Sequence, residues 1–355
     1  NYDVKSLHEI IAAIDLDENN TRIANNLELN KDILTLLHES INPFILSKLD
    51  YKIQNLNSLA NEDSLEPINR AGNAMKKFTR LSESEIVTPE KITDEMISIF
   101  PDDAITSSAT VLDIAAKQGE FVYAVYKKYG KTVAENFYSI PTSKIAYEFT
   151  RKVYELLELD VSHIVSDFTS YDLLKENTIF ENDKMKIGET YMNFDVVVGN
   201  PPYQEMDGGA QVSARPIYHK FIQQAKSLNP KYLSMIVPAR WYAGGKGLDE
   251  FRDEMLSDQK ISVLHDFLNP ELLFPNTNIR GGICYFLWDK SYDNAETLTK
   301  VVTHQLNSSP ITVRRSLRTE HSDTFIRHGI AIRVIEKIKE YSNFTSFERY
   351  ISARK

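Results

Sequence analysis

The chain has one cysteine, Cys284, in 355 residues. A lone thiol excludes an intramolecular disulfide and fits a reducing compartment, so a cytoplasmic location is expected. It lies in the run Ile283-Cys284-Tyr285-Phe286-Leu287-Trp288, where it reads as an inert core residue. No apolar run approaches the roughly 20 residues of a membrane span, and no signal-peptide pattern is present. No membrane partner is expected. The histidines lack metal-ligand spacing, so no metal is expected. Both GxGxxG and GxxxxGK[ST] are missing, which argues against a dinucleotide pyrophosphate or a phosphate loop. Gly244-Gly245-Lys246-Gly247 therefore reads as a lip after a strand.

Overall positive charge is lacking too. A net charge of −9 argues against a free-standing nucleic-acid binder that relies on global basicity, though a local basic cleft stays open. Residues 311–355 lean the other way, with ten basic residues against five acidic ones. The chain begins at Asn1 rather than Met and ends abruptly, so it reads as a fragment or processed product.

Residues 1–80 have helical spacing throughout, as in Leu7, Ile10, Ile11 and Ile14, and carry no chemical motif. They read as a small helical domain or docking bundle. From residue 85 strands and helices alternate, which predicts a parallel, doubly wound α/β sheet. Strands are predicted near 111–113, 135–140, 163–165, 194–199, 233–237, 261–267 and 283–288. Helices are expected over 88–100, 119–129, 143–159, 217–228, 248–256 and 324–341. Thr88 is a plausible N-cap for the first of these, with Pro89 in its first turn.

What is present concentrates at the predicted strand ends. Asp113 closes one strand, and Ala115-Ala116-Lys117-Gln118-Gly119-Glu120-Phe121 forms a strand–turn–helix with one well-placed glycine. A glycine there lets a ligand approach the backbone, and the acid can take an amine or hydroxyl. Asp167-Phe168 repeats that logic with a carboxylate and a flat ring. Either turn alone would pass as an ordinary βα connection. Asn200-Pro201-Pro202-Tyr203 is more specific: it ends the β-branched run Val196-Val197-Val198-Gly199. Two prolines cannot continue a central strand. An amide, two carbonyls and an aromatic ring are thus held at a strand's C-terminal edge, suited to gripping a planar group with an exocyclic NH2. A polyproline segment that docks to a small domain could also carry Pro-Pro-x-Tyr, but such segments lie in disordered, Pro-rich sequence.

Taken in order, Thr88-Pro89, Val111-Leu112-Asp113, Gly119-Glu120-Phe121, Asp167-Phe168 and Asn200-Pro201-Pro202-Tyr203 resemble the gamma group of S-adenosylmethionine-dependent adenine-N6 DNA methyltransferases of restriction–modification systems. The resemblance covers residues 85–288. It implies a Rossmann-like class I methyltransferase fold, doubly wound around a mostly parallel seven-stranded sheet. It also implies a helical segment at 1–80, a catalytic domain at 81–300 and the start of a recognition region at 301–355. S-adenosylmethionine would be the cofactor and double-stranded DNA the partner, with a nuclease, helicase or specificity domain or subunit of the same system. The resemblance assigns catalysis to Asn200, Pro201, Pro202 and Tyr203, and stacking on a flipped adenine to Tyr203 and Phe274. It assigns cofactor binding to Thr88, Asp113, Ala115, Gly119, Phe121, Asp167 and Phe168. Two positions depart from the family: Lys117 stands where a second glycine is usual, and residues 138–143 lack the acid that grips the cofactor ribose. Ser139, Thr142 or Ser143 would supply a hydroxyl in its place.

Two other readings keep the same fold. One is methylation of protein glutamine or of exocyclic amines in RNA, because an amide and a base present similar NH2 groups. The other is a catalytically degenerate scaffold or DNA-docking module.

Overall fold

The computed structural model describes residues 4–60, 64–77, 86–175, 179–205, 215–275, 279–293, 297–319, 322–341 and 345. It divides into two units, Asn1–Val237 and Pro238–Lys355.

The first unit opens with α1 (Leu7–Ala13), α2 (Glu18–Asn26), α3 (Lys31–Ser40), α4 (Pro43–Ala60) and α5 (Pro67–Met75). Polar residues set the first three starts. Ser6, Asp17 and Asn30 each accept a hydrogen bond from the backbone N–H three residues on. Such N-caps satisfy a donor that has no partner within the helix.

The α/β part follows with α6 (Glu90–Ser98), β1 (Val111–Ala116), α7 (Glu120–Tyr129), α8 (Lys131–Ala134), β2 (Phe137–Pro141) and α9 (Lys144–Leu156). A short antiparallel sheet of β3 (Phe180–Glu181), β4 (Lys184–Ile187) and β5 (Thr190–Met192) comes next. Then come β6 (Val196–Gly199), α10 (Tyr218–Ser227) and β7 (Tyr232–Pro238). The strands of this unit's main sheet run parallel in the order β7-β6-β1-β2. Every residue of β1 and β6 is buried, as a sheet covered on both faces requires. The chain winds from β1 outward to β2, then returns to the other side of β1 as β6. That reversal opens a crevice beyond the C-terminal ends of β1 and β6, the place where such sheets bind ligands.

The second unit contains α11 (Asp249–Ser257), β8 (Ile261–Phe267), β9 (Ile283–Asp289), β10 (Thr299–His304), β11 (Ile311–Arg315) and α12 (Gly329–Lys339). Its strand order is β11-β10-β8-β9, with β10 parallel to β8 and both outer pairs antiparallel. Arg327 holds this unit together. Its Nε and Nη2 donate to the buried Asp266 carboxylate at 2.9 and 2.6 Å, and Nη1 donates to the Gly281 carbonyl at 2.7 Å. Two of the tail's ten basic residues, Arg315 and Arg327, are thereby structural: Arg315 stacks over Phe325 and donates to the Ile326 carbonyl.

The structure corrects three expectations. The two strand sets hold eight strands rather than seven, because β10 and β11 were not expected: β10 pairs parallel with β8, and β11 adds an antiparallel edge after a polar turn. The strand expected at 163–165 is a single bridge, Ser139 to Ile164, because Asp160 caps a 3-10 turn over Val161–His163 and uses up the length. Thr88 does not cap α6, which starts at Glu90 behind Pro89 without a side-chain cap.

Gly199 lets β6 lie close to β1. A Cβ there would meet Ile114 Cγ2 at 3.0 Å and Asp113 Oδ1 at 3.5 Å. Both neighbours are buried, so neither can give way cheaply. Gly199→Ala should lower unfolding stability by about 1–3 kcal/mol, an overpacking cost that urea titration would measure.

Candidate functional site

Two turns meet at the β1/β6 crevice. Asp113 pairs in register with Val198 on one side and Ser139 on the other, so the loop after β1 starts beside Gly199-Asn200. Asn200 is 1% exposed. Its Nδ2 donates to the Ile86 carbonyl at 2.8 Å and to Thr88 Oγ1 at 3.1 Å. A carbonyl can only accept, so the amide orientation is settled by chemistry: nitrogen towards residues 86–88, Oδ1 the other way. Thr88, expected to close a cofactor pocket, also braces the Asn200 amide.

The backbone of Asn200 is held as well. Lys117, fully buried, donates from Nζ to the Asn200 carbonyl. Sequence reading treated Lys117 only as a departure from a glycine pattern. The signal that could have found it is a lysine between two acids, Asp113 and Glu120, in an otherwise apolar stretch. Glu120 is 2% exposed and accepts from the Gln118 N–H at 2.9 Å and the Thr88 N–H at 3.4 Å. Thr88 thus links the Glu120 carboxylate to the Asn200 amide.

Asp113 is buried and accepts from the Ala115 N–H at 3.0 Å. Burial, and then the charge of Glu120, raise its pKa from 3.8 to about 8, against the lowering pull of Ala115 and Lys117. At neutral pH this carboxyl mostly keeps its proton, and an arriving cation would draw it towards the charged form. Gly119 takes a left-handed backbone at φ 73° and starts α7, with Val153 3.2 Å from where a Cβ would lie. Ala115 and Phe121 are buried beneath the turn.

The remaining expected residues lie as follows. Pro201 and Pro202 are buried and Tyr203 is half-buried. Tyr203 accepts from the Ile217 N–H, and Gln204 bridges to Pro216, which ties the turn to the start of α10. Asp167 is exposed and accepts from Ser166 Oγ at 2.8 Å, and Phe168 is half-buried beside it. Phe274 belongs to the second unit, where it is buried.

The three hydroxyls at the end of β2 differ in availability. Ser139 Oγ bonds to Tyr154 Oη at 3.0 Å, and Ser143 caps α9 by accepting from the Ala146 N–H. Thr142 is 3% exposed, and its Oγ1 has no hydrogen-bond partner among the described residues. A buried hydroxyl left unpaired is costly, and a sugar hydroxyl would satisfy it. A cofactor with a cationic part and a ribose therefore fits the residues present.

The family model for the Eco57I restriction-modification methylase matches residues 9–274. An adenine-specific methylase of Mycoplasma pneumoniae, otherwise uncharacterised, is 33% identical over 135 residues. That alignment covers 37% of this chain and 32% of the relative, so the chain matches about a third of that protein's length. Among solved structures, the methyltransferase subunit of a type I restriction-modification system from Streptococcus thermophilus superposes with a TM-score of 0.54 at 12% identity. The match covers 93% of this chain and 72% of that one. A chain from an assembled type I system gives 0.54 at 14% identity over 97% and 70%. At such identities the likeness shows the fold alone.

The raised Asp113 value has a measurable consequence. The group's folded value lies above its unfolded one, so its stabilising contribution is full below about pH 4 and is lost as pH rises towards 8. Asp113→Asn keeps the acceptor for Ala115 and removes the titration. The variant should melt higher than the parent at pH 7, and the gain should shrink towards zero near pH 4, as thermal scans across that range would show.

Proposed function

We propose that this chain, which belongs to the Eco57I restriction-modification methylase family, transfers a methyl group from S-adenosylmethionine to the exocyclic N6 of adenine in double-stranded DNA. The observation that carries the reading is the Asn200 amide. Its nitrogen is buried and clamped, which would leave the carboxamide oxygen as a preset acceptor. The Pro201 carbonyl lies next in the chain. Together they would accept both hydrogens of an NH2 group, which steers the nitrogen lone pair towards an incoming methyl and favours the positive charge that develops there. The Asn200 amide is held before substrate arrives, so positioning would supply much of the acceleration.

An adenine paired in a duplex cannot reach a buried amide, so the base must leave the stack. Tyr203 would stack on it, a contact worth roughly 1–3 kcal/mol by analogy with single-strand binders. Bound S-adenosylmethionine supplies the methyl group as a sulfonium. Asp113, Ala115 and Gly119 would hold its amino-acid end, Thr142 its ribose, and Asp167 with Phe168 its adenine ring, over the apolar floor that includes Phe121. The relatives' restriction-modification setting suggests a specificity, nuclease or helicase partner in the same system.

Asn200→Ala should lower methyl transfer to duplex DNA by about 10²–10³-fold, the scale for losing one preset polar contact to developing charge. Affinity for S-adenosylmethionine should change little. Tritiated methyl transfer, offered duplex DNA, RNA and protein in parallel, checks both points. Label confined to protein or RNA would move the assignment to those substrates, and full activity in the variant would remove Asn200 from the chemistry.

A further inference from the structure

Acidic residues outnumber basic ones in this chain, 50 to 41, so cations left unpaired on fixed backbone are informative. Two lie on adjoining loops of the second unit. Arg240 belongs to the 3-10 turn Ala239–Tyr242, which follows β7, and Arg280 stands three residues before β9. Both are exposed, and among the described residues neither side chain enters a hydrogen bond or an ion pair.

The backbone beneath them is held firmly. Ala239, Trp241 and Tyr242 are buried, so Arg240 alone in its turn meets solvent. Trp241 packs edge-on against Phe251 with ring centres 5.9 Å apart, and the Tyr242 ring lies 4.5 Å from that of Phe325. The Ala239 N–H donates to the Gly282 carbonyl at 3.0 Å, which ties the turn to the start of β9. Gly281 and Gly282 take left-handed backbones at φ 91° and 89°. A Cβ on Gly282 would lie 2.5 Å from the Phe267 carbonyl oxygen, and one on Gly281 would lie 3.8 Å from Arg240 Cα. The glycine pair thus lets the chain that carries Arg280 run against the Arg240 turn. Asp266 gives both oxygens to Arg327, which also donates to the Gly281 carbonyl, so that acid does not neutralise the two exposed arginines.

A guanidinium stays charged at physiological pH and presents a planar fork of donors that fits a phosphate. Carrying two of them on fixed loops removes part of the ordering cost of binding. Duplex DNA bears one charge for about every 1.7 Å of its axis, so cations on adjoining loops meet neighbouring phosphates. We propose that Arg240 and Arg280 grip the backbone of duplex DNA, each taking a phosphate. The second unit then contributes affinity that does not depend on base sequence. This rests on the duplex-DNA reading above, and it supplies the local cationic surface that a net charge of −9 leaves open.

Each neutralised phosphate releases counterions, and the slope of log affinity against log salt measures how many. Binding of the whole chain to a labelled duplex is followed by fluorescence anisotropy across a salt series. The parent is compared with Arg240→Ala, Arg280→Ala, the double variant, Arg240→Lys and Lys290→Ala. Lys290 is exposed too, but it follows the other end of β9, roughly 20 Å along the strand. That is about two Debye lengths at physiological salt. Each single alanine variant at the two arginines should lower the slope by about 0.9, and the pair by about 1.8, whatever the duplex sequence. Arg240→Lys keeps the charge and Lys290→Ala lies away from the grip, so both should keep the parental slope. An unchanged slope in the double variant, or an equal fall in either control, overturns the inference. Methyl transfer to the same duplex by the parent is measured alongside. A parent that methylates DNA keeps the methyltransferase reading even where the slopes overturn the inference. A parent that neither binds nor methylates the duplex overturns that reading, and the inference falls with it. Both arginine side chains are exposed, so a loss of fold does not imitate the expected result.

Discussion

The Asn200 side chain commits both amide hydrogens, to a carbonyl at residue 86 and a hydroxyl at residue 88. A carboxamide free to flip would present its nitrogen or its oxygen to a substrate amine, and only the oxygen attracts it. Anchoring the nitrogen resolves that choice before any ligand arrives. The rest of the unit serves this anchor. β6 brings Asn200 to the edge, Gly199 allows β6 to lie tight on β1, and Pro201 and Pro202 stop the chain there. Lys117 then holds the main chain from behind.

Much of this was legible because it depends on local grammar. A β-branched run ending in Asn-Pro-Pro-Tyr is a buried strand that must stop, and an Asp followed six residues later by glycine marks a strand–turn–helix. The alternation of elements from residue 85 onward made a parallel sheet the natural reading. What escaped was either marginal or non-local. The segment at 163–165 has strand composition, but Asp160 captured it in a capped turn. β10 and β11 carry charged and polar residues and gain their order from pairing with β8 and each other, which no window along the chain reveals. The role of Thr88 depended on Asn200, 112 positions away, so its apparent fitness as a helix cap misled. Lys117 looked like a lost glycine because its meaning lies in a carbonyl 83 residues distant.

The buried charges show what function asks of the fold. Asp113, Lys117 and Glu120 lie within one turn, almost without solvent. Replacing buried ions with apolar groups often stabilises a protein, so such a cluster is better explained by ligand binding than by folding. Asp113 is held mostly neutral at rest and acquires a counter-charge when a cation enters. The amino-acid end of a sulfonium cofactor has the charges this cluster lacks. Asp113, which weakens the empty protein near neutral pH, would then strengthen the loaded one, and ligand binding shifts stability in just that sense.

On the proposed methyl-transfer reading, the orientation of Asn200, fixed by the Ile86 carbonyl and braced by Thr88, sets the rate. The most direct measurement is single-turnover methyl transfer at saturating cofactor by Thr88→Val and Thr88→Ser. Valine keeps the shape and loses the acceptor; serine keeps the acceptor. The account predicts a fall of about threefold to tenfold for valine, the worth of one net hydrogen bond of about 0.5–1.5 kcal/mol, and near-parental turnover for serine. Parental turnover in the valine variant would contradict it.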